Sequence, residues 1–352
     1  MLRSGPIAKA MLRACGWASL LLLSLCCRAQ QKETPVYTLK VYANLVQVPT
    51  LVLDSELEPL PPIQFDRFLV SLDGGKKFTP THVRMEGDDP LSISILLDLT
   101  GDQRHLIAGF ADAAARMAEV SLHEQDQVTV YALKCNLIRT ADQEPARPAR
   151  VKSAIETALH APQLDKPANG GTCQKKVFLW GAMVAVLKGM SDSPGRRVML
   201  VVSDGADSGS VTGWRELHDY AGGQGAAIFG MNDGFVNLMT PWSIDRGDPF
   251  HSLCESTGGM VIDADDRDLE KRLEKWVALL RNRYVVEFPR PQQMGMGFHN
   301  IVVSIKRSGR TFVTLAGVSV TLPDSKITTD PNYLPSDAGA DIPVGKRREQ
   351  PQ

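Results

Sequence analysis

The sequence predicts an α/β fold: a doubly wound, mostly parallel sheet with helices on both faces, flanked by a small β-sandwich built from N- and C-terminal strands. The first observation is the stretch at residues 91–103, where an apolar run suited to a buried strand ends in an oxygen-rich turn and leads into a helical pattern. Strands and helices then alternate to about residue 280, which is typical of a parallel sheet. Alternating β patterns lie on both sides of this unit, at residues 36–90 and 282–322.

The composition is that of an ordinary globular protein and limits the classes of partner. Hydrophobic residues make up 43% of the 352 residues and charged residues 22%, so the chain can bury a sizeable core. The formal net charge is −1, which gives no electrostatic reason to expect binding to nucleic acid or to an anionic membrane. We therefore expect no nucleic-acid partner.

Residues 1–29 have the pattern of a signal peptide. Three basic side chains within the first 13 residues precede an apolar run at residues 16–27, which is too short to span a bilayer. Small residues at positions 27 and 29 predict cleavage after Ala29. Cleavage would leave no transmembrane span and would place the protein in the periplasm or outside the cell. The alternative is an uncleaved N-terminal anchor.

Cleavage would also leave three cysteines, Cys135, Cys173 and Cys254, an odd number for an oxidising compartment. Cys135 ends a predicted strand, and Cys173 lies in a loop expected on the same side of the sheet. We therefore expect a disulfide between these two and a buried thiol at Cys254. Three independent buried thiols are the alternative.

The N-terminal region, residues 36–90, has the pattern of β structure. Residues 37–53 alternate with the period of a strand, and the next nine residues are rich in turn formers. Residues 68–78 have the pattern of a hairpin whose turn is Asp73-Gly74-Gly75. We interpret this region as one half of the β-sandwich.

The α/β unit, residues 91–281, follows. After its first strand, apolar residues at helical spacing predict a helix that includes Leu106 and Met117. The other predicted strands cover residues 127–133, 136–140, 197–203, 226–231 and 260–263, the second of them as an antiparallel edge strand. The other predicted helices cover residues 150–160, 177–190 and 266–280, and a further helix is expected just before residues 222–225.

The C-terminal region, residues 282–322, returns to β patterns. Strands at residues 284–288, 299–306 and 311–322 would complete the sandwich, with the α/β unit inserted between its halves. Two unrelated β pieces are the alternative. Residues 323–352 are polar and rich in Pro and Gly, so we expect a disordered tail.

Three polar segments carry the candidate site. They are Asp98-x-Thr100-x-Asp102 after one buried strand, Gly170-Gly171-Thr172 in a later loop, and Ser203-Asp204-Gly205 after another buried strand. Ligands of open α/β sheets bind at the carboxyl ends of the strands, where the first and third segments are expected. In this pattern the chain resembles a von Willebrand factor type A (VWA) domain.

The resemblance implies a metal-ion-dependent adhesion site that holds Mg²⁺. Its ligands in this chain would be Asp98, Thr100, Asp102, Thr172 and Asp204. Mg²⁺ takes hard oxygen ligands in octahedral array and keeps several waters, so an acidic group of a partner can complete its coordination. The implied partner is therefore a protein that presents a carboxylate to the metal.

A second resemblance covers residues 37–322 and is to the secreted VWFA-related family first described from Acidobacteria. The segments that carry it are residues 44–48, Phe68-x-x-Ser71-x-Asp73-Gly74-Gly75-Lys76, the strand from Tyr284, and Lys306-Arg307-x-Gly309. Their order and spacing along the chain are more specific than any one of them alone.

The first departure from the VWA pattern is Asp102, which stands where the family has a second serine. A further carboxylate would raise the affinity for metal but would make the site less attractive to an acidic partner group. The longer side chain is also able to occupy the open coordination position itself.

The second departure concerns the threonine. Counted from Gly170-Gly171 it is Thr172, but counted back from the next predicted helix Val177 stands in its place, and a valine cannot ligate. In that alignment Lys175 or Lys176 can replace the cation by pairing with a carboxylate of the first segment.

These observations favour an exported VWA-type protein that is not an enzyme and that binds another protein in adhesion or envelope assembly through a degenerate Mg²⁺ site. One alternative is a metal-free structural or interaction module of the cell envelope, whose carboxylates only accept hydrogen bonds from backbone N–H groups. A further alternative is a Mg²⁺-dependent phosphohydrolase, although Thr100 stands where such enzymes need an acid/base aspartate.

Overall fold

The computed structural model describes residues 45–54, 58–100, 104–165, 176–233, 248–265, 267–291, 297–306, 312–315 and 318–320, together with residue 345. The predicted signal peptide lies outside these ranges, as does the predicted tail apart from that one residue. Among the helices within the described ranges, none is both long enough and apolar enough to cross a membrane.

The described elements are numbered in chain order. The strands are β1 (Leu45–Leu53), β2 (Phe68–Leu72), β3 (His82–Met85), β4 (Leu91–Asp98), β5 (Gln127–Leu133), β6 (Leu137–Pro145), β7 (Arg196–Val202), β8 (Ala227–Asp233), β9 (Val261–Ala264), β10 (Tyr284–Pro289), β11 (Gly297–His299), β12 (Ile301–Ile305), β13 (Phe312–Leu315) and β14 (Val318–Val320). The α-helices are α1 (Arg104–Val120), α2 (Pro148–His160), α3 (Leu179–Gly189), α4 (Trp214–Gln224), α5 (Pro249–Ser256) and α6 (Leu269–Arg281).

A six-stranded sheet in the order β6-β5-β4-β7-β8-β9 forms the centre of the α/β unit. Its strands run parallel except β6, which pairs antiparallel with β5 at the edge. The chain winds outward from β4 in one direction and then from β7 in the other, so these neighbours mark the point where the strand order reverses. The predicted doubly wound, mostly parallel α/β fold is confirmed.

Apolar side chains on both faces explain why the central strands are fully buried. Ile93, Ile95 and Leu97 of β4 belong to a core completed by α1, α2 and α6. Leu96 faces a second core formed with α3, α4 and α5. Successive strand residues point to opposite faces, so a continuous apolar run needs cover on both sides.

Antiparallel strands from both ends of the chain flank this unit. β1 pairs with β10 and β13, β10 also pairs with β3, and β2 pairs with β12. Their apolar side chains share a third core that includes Val48, Phe68, Val286 and Val303. The division of the chain at residues 36–90, 91–281 and 282–322 stays a prediction.

The turn after β2 connects two of these peripheral segments. Val70 and Phe78 exchange backbone hydrogen bonds across it, as the hairpin pattern predicts. Asp73 has a left-handed φ of 49° and accepts hydrogen bonds from His299 Nδ1 and from the Asn300 backbone, which fixes the turn against β12. The N–H of Gly345 donates to Leu72 O beside the same turn.

Buried ion pairs fasten the amino edge of the six-stranded sheet. Arg283 donates to both carboxylate oxygens of Glu86 at 2.7–3.1 Å, and these side chains are 2% and 1% exposed. Arg281, at the end of α6, pairs with Asp126, which also accepts from the Leu91 N–H at the start of β4. We call Glu86, Asp126, Arg281 and Arg283 the amino-edge cluster.

Two short elements differ from the sequence prediction. Helix α5 was not predicted, because its eight residues are too few to show a helical period, although Asp248 and Pro249 form a start signal. The Asp248 carboxylate accepts from the Phe250 N–H at 2.9 Å, as an N-cap does. Strand β3 was also missed. His82 is exposed and the other three residues are only partly buried, so no buried apolar run marks the strand.

The described cysteines behave differently from each other. Cys135 is disulfide-bonded, which excludes three independent thiols. Its predicted partner, Cys173, lies outside the described residues, so that pairing stays a prediction. Cys254 is a free thiol within α5, and complete burial raises its pKa because a thiolate would lose its hydration there.

Candidate functional site

Asp98 ends β4 at the carboxyl edge of the six-stranded sheet. Its neighbour across the sheet is Ser203, because the register pairs Leu97 with Val202 and each chain continues by one residue. Since β4 and β7 are adjacent where the strand order reverses, both residues lie at the position where open α/β sheets bind ligands. Asp98 is nevertheless only 1% exposed.

The Asp98 carboxylate accepts three hydrogen bonds. Oδ2 accepts from the Ser203 hydroxyl at 2.6 Å. Oδ1 accepts from the Thr100 hydroxyl at 2.5 Å and from the Thr100 backbone N–H at 2.9 Å. Among the described residues, no lysine, arginine or histidine takes part in this arrangement.

Burial raises the pKa of Asp98 above its ordinary value, because an ionised carboxylate loses hydration in the sheet. The hydrogen bonds from Ser203 and Thr100 favour the ionised form and oppose this effect, and the nearby charge of Asp204 adds to it. The net result is a carboxyl group whose negative charge is incompletely compensated. A proton or a cation that reaches the group relieves this cost.

The turn after Ser203 depends on Gly205. Its φ is +79°, and an added Cβ would lie 2.7 Å from Phe250, so a larger residue does not fit. The Gly205 N–H donates to Ser203 Oγ at 3.1 Å, which orients that hydroxyl toward Asp98. Asp204 is exposed at the rim, where its Oδ1 accepts from the Ala206 N–H at 2.9 Å.

The following loop is fastened to the start of α3. Asp207 Oδ1 accepts from the Trp180 N–H at 3.0 Å, and Ser210 Oγ accepts from the Gly181 N–H at 3.0 Å. Ser208 Oγ accepts from the Val177 N–H at 3.0 Å. We call Asp207, Ser208 and Ser210 the α3 latch. It supplies from another loop the acceptors that the first N–H groups of a helix need.

Asp98 and Ser203 belong to a row of polar residues that crosses four strands. The Ser203 N–H donates to Met231 O, and β8 and β9 pair Asn232 with Asp263. Residues paired in register point to the same face, here the face covered by α3, α4 and α5. We call Asp98, Ser203, Asn232 and Asp263 the polar row.

The start of α5 places a histidine beside this row. His251 Nδ1 lies 2.7 Å from Asp248 Oδ2. This hydrogen bond raises the pKa of His251 and lowers the pKa of Asp248, and the charge of Asp263 raises the histidine pKa further. These effects favour the protonated form of His251, which pairs chiefly with Asp248.

The predicted metal ligands have three different outcomes. Asp98 and Thr100 are in direct contact, and Asp204 lies at the rim and acts on Asp98 through its charge. Asp102 and Thr172 lie outside the described residues, so their roles stay predictions.

Ser203 is absent from the predicted ligand set, yet it is a direct partner of Asp98. The signal for it was that Asp98 and Ser203 stand at equivalent places, each directly after the apolar run of a buried strand. In adjacent parallel strands such residues become neighbours.

Lys176 is exposed, and the Asp98 oxygens accept from Thr100 and Ser203. Lys175 and Asp102 lie outside the described residues, so the alternative that a lysine replaces the cation stays a prediction. Val177, the second candidate for the threonine position, is held through its backbone: its carbonyl accepts from the N–H groups of Ser208 and Gly209.

The oxygen atoms at Asp98 fit a hydrated Mg²⁺. A carboxylate and two hydroxyls converge there, which are hard ligands, and Mg²⁺ is commonly held by one or two carboxylates while it keeps several waters. Within the part of the chain that the structure describes, no group of three or more His, Cys, Asp or Glu side chains has metal-binding spacing. The fit is therefore to one buried carboxylate with hydroxyls.

Fold and site together define a doubly wound α/β domain with an oxygen-rich site where its strand order reverses. Among solved structures, the chain is similar to a von Willebrand factor type A protein from Catenulispora acidiphila, with 12% identity, a TM-score of 0.41, and coverage of 78% of this chain and 74% of that one. It is also similar to an aerotolerance-related membrane protein from Bacteroides fragilis, with 13% identity, a TM-score of 0.39, and coverage of 53% and 98%.

A third similar structure is proximal thread matrix protein 1 from the mussel byssus, described with a zinc-occupied MIDAS motif. The identity is 12% and the TM-score 0.38, and the alignment covers 56% of this chain and 50% of that one. No protein-family model and no curated protein matches the chain. The fold class rests on the strand order itself.

Proposed function

We propose that the chain is an exported partner-binding module, of adhesion or envelope-assembly type, whose recognition surface is the carboxyl edge around Asp98. The observation that carries the proposal is a buried carboxylate at the point of strand reversal that no described cation neutralises. A buried carboxylate of this kind destabilises the free protein, and a bound cation or a hydrogen-bond donor from a partner would stabilise it.

The rim beside Asp98 is suited to protein contact because its loops are already fixed. The α3 latch holds the loop that carries Val211, whose side chain is fully exposed. Phe178 packs against Gly209 of that loop and is itself exposed. Exposed apolar side chains on a pre-organised loop lose little entropy on binding and are typical anchors of protein contacts.

Mg²⁺ would act as a bridge in this function. Asp98, Thr100 and Ser203 would hold it, with Asp204 at the rim and with Asp102 and Thr172 in the roles that the VWA resemblance implies. A bound Mg²⁺ supplies an open coordination position, which a carboxylate of the protein partner would fill. The partner would thus be recognised by one shared metal and by the apolar side chains beside it.

A second candidate function is a metal-free structural or interaction module of the envelope. It is favoured by the three hydrogen bonds that Asp98 already accepts, which satisfy the carboxylate without a metal. Metal binding and the role of Asp98 in partner contact distinguish the two candidates.

The first experiment is calorimetric titration of the purified protein with Mg²⁺ and Mn²⁺. We expect binding that is lost in Asp98→Ala and kept in Asp88→Ala, because Asp88 is an exposed aspartate at the opposite edge of the sheet. Equal binding by the two variants would place the metal elsewhere. Absence of binding at millimolar metal would favour the metal-free candidate.

The second experiment tests partner binding directly. A photo-crosslinking residue is introduced at the exposed Val211 of the rim in one variant and at Asp88 in another, and crosslinked peptides from the native host are identified by mass spectrometry. We expect a defined protein to be linked at position 211 and not at 88, and the link to disappear when Asp98→Ala is added. The same products from both positions would contradict a recognition surface at the carboxyl edge.

A further inference from the structure

We propose that the distal half of the polar row, Asn232 and Asp263, is a subsite that binds the guanidinium group of an arginine on the protein partner. The inference rests on the proposed function, because it assigns a partner chemistry to the same edge of the sheet. It concerns strands β8 and β9, which contribute none of the predicted metal ligands.

Asn232 provides the observation that points to a ligand. Its side chain is 5% exposed, and its Oδ1 has no hydrogen-bond partner within the part of the chain that the structure describes. A buried amide oxygen without a donor has lost its hydration and gained nothing in return, so such atoms are uncommon in folded proteins. The register of β8 holds this acceptor in place, and a donor from outside would satisfy it.

Asp263 lies next to this acceptor on the neighbouring strand. The two residues are paired in register, so their side chains point to the same face at the strand spacing of about 4.8 Å. Asp263 is exposed, and its charge acts on His251. The subsite thus offers one neutral oxygen in a buried position and one carboxylate in an exposed position.

The charges around the subsite favour a positively charged ligand. Asp98, Asp204, Asp248 and Asp263 lie on this edge, and His251 at the start of α5 adds a positive charge in its protonated form. Because His251 is paired with Asp248 at 2.7 Å, it offsets only part of the negative charge. An anionic ligand would meet net repulsion here.

The two acceptors match a guanidinium group. They stand side by side on neighbouring strands, about 4.8 Å apart at the backbone. A planar guanidinium has five N–H donors in a fixed fork, so it is able to donate to Asn232 Oδ1 and to the Asp263 carboxylate at once.

The test is an NMR titration of the isotope-labelled protein with the peptide acetyl-Gly-Arg-Gly-amide. The matched control peptide carries citrulline, which has nearly the same shape without the charge. We expect the arginine peptide to shift the side-chain amide signals of Asn232, which are assigned from their absence in Asn232→Leu, and the citrulline peptide to leave them unchanged. Equal shifts with both peptides, or no shift with either, would overturn the proposal.

Variants separate the subsite from general effects on folding. Asp263→Asn removes the charge with little change of shape and should weaken arginine-peptide binding roughly tenfold, as expected for the loss of one charge-assisted hydrogen bond. Asn232→Leu should abolish the shifts at the edge while the protein stays folded, since it replaces an unpaired acceptor. Asp88→Asn should bind like the parent protein. Unchanged affinity in Asp263→Asn would contradict the assignment.

A metal titration distinguishes failure of this inference from failure of the proposed function. Asn232→Leu should keep any Mn²⁺ binding that the parent protein shows, because Asp98 and Thr100 are untouched. If Mn²⁺ binds but the arginine peptide does not, the subsite is wrong and the proposed function stands. If the arginine peptide binds at Asn232 without metal, the edge recognises its partner through the polar row alone.

Discussion

The two edges of the six-stranded sheet treat buried carboxylates in opposite ways. At the amino edge, both carboxylate oxygens of Glu86 accept hydrogen bonds from Arg283, and Asp126 forms an ion pair with Arg281. At the carboxyl edge, Asp98 is equally buried but receives only two hydroxyls and one backbone N–H. The same sheet therefore carries a compensated and an uncompensated set of charges at its two ends.

The difference separates structural charge from charge that is available to a ligand. A buried ion pair with good geometry fixes the elements that carry it, and removing one partner leaves an unpaired buried charge. The amino-edge cluster ties β10, α6 and the strands of the α/β unit together. Asp98 ties only the ends of β4 and β7, and its remaining charge is open to partners at the rim.

The largest expected effect is at the amino edge. Glu86→Met should lower the free energy of unfolding by about 3–5 kcal/mol, because it leaves the buried Arg283 guanidinium without its carboxylate. Urea denaturation followed by circular dichroism measures this change. The matched control is Glu119→Met, which breaks an exposed pair with Arg116 and should change the stability much less.

The double variant Glu86→Met/Arg283→Met sharpens the test. It removes both charges, so much of the lost stability should return. A double variant as unstable as Glu86→Met alone would mean that the cost comes from packing and not from an unpaired charge.

At the carboxyl edge, pH should reveal the uncompensated charge of Asp98. Its pKa is raised in the folded protein, so above pH 3.8 the folded state binds more protons than the unfolded state, and stability falls as pH rises through the folded pKa. Asp98→Asn removes this dependence. As pH increases from 4 to 7, the free energy of unfolding of Asp98→Asn should therefore rise relative to that of the parent protein. The expected rise is about 1.4 kcal/mol for each unit by which folding raises the Asp98 pKa.

Urea denaturation at several pH values measures this relative gain. A difference that shrinks as pH rises would mean that the hydrogen bonds from Thr100 and Ser203 outweigh burial. Asp88→Asn is the control for loss of an exposed aspartate at the amino edge.

The fold was largely predictable because burial on both faces leaves a strong trace in the sequence. The run from Ile93 to Leu97 had to lie between two layers, and the alternation after it required a parallel sheet. The antiparallel edge strand also followed from its position after β5, although it extends to Pro145 and is bulged. Short elements such as α5 were missed because they have too few residues to show a helical period. The only sequence signal for α5 is the N-cap residue at its start.

The candidate site was predictable only at its centre. Asp98 and Thr100 follow directly from the turn at the end of β4. The partnership with Ser203 and the polar row through Asn232 depend on the register between strands that are far apart in the sequence. The α3 latch likewise joins residues separated by about 30 positions, and no local sequence pattern predicts such a contact.

The latch should have a smaller effect than the buried charges. Asp207→Ala removes the acceptor for the Trp180 N–H and for the Ser210 hydroxyl, and loss of such a cap costs about 1 kcal/mol. Thermal denaturation measures the stability, and the control Asp192→Ala changes an exposed turn aspartate after the other end of α3. If the two variants melt alike, the latch does not stabilise the start of α3.

The smallest expected effect is that of the ion pair at the start of α5. The pKa of Asp248 is lowered and that of His251 is raised, so the pair stabilises the fold above the ordinary pKa of 3.8 and below that of 6.5. The contribution is lost as pH falls through the folded pKa of Asp248 and as pH rises through that of His251. Because these side chains are 31% and 40% exposed, solvent limits it to well under about 1 kcal/mol.

His251→Asn tests this pair, with His123→Asn as the control because His123 is an exposed histidine at the other end of the sheet. The stability difference between parent and His251→Asn should be largest near pH 5 and should fade toward pH 8. A difference that instead grows toward pH 8 would mean that neutral His251 stabilises α5 by packing. In that case His251 would add no positive charge beside the polar row, and the carboxyl edge would be more acidic than its pairing with Asp248 implies.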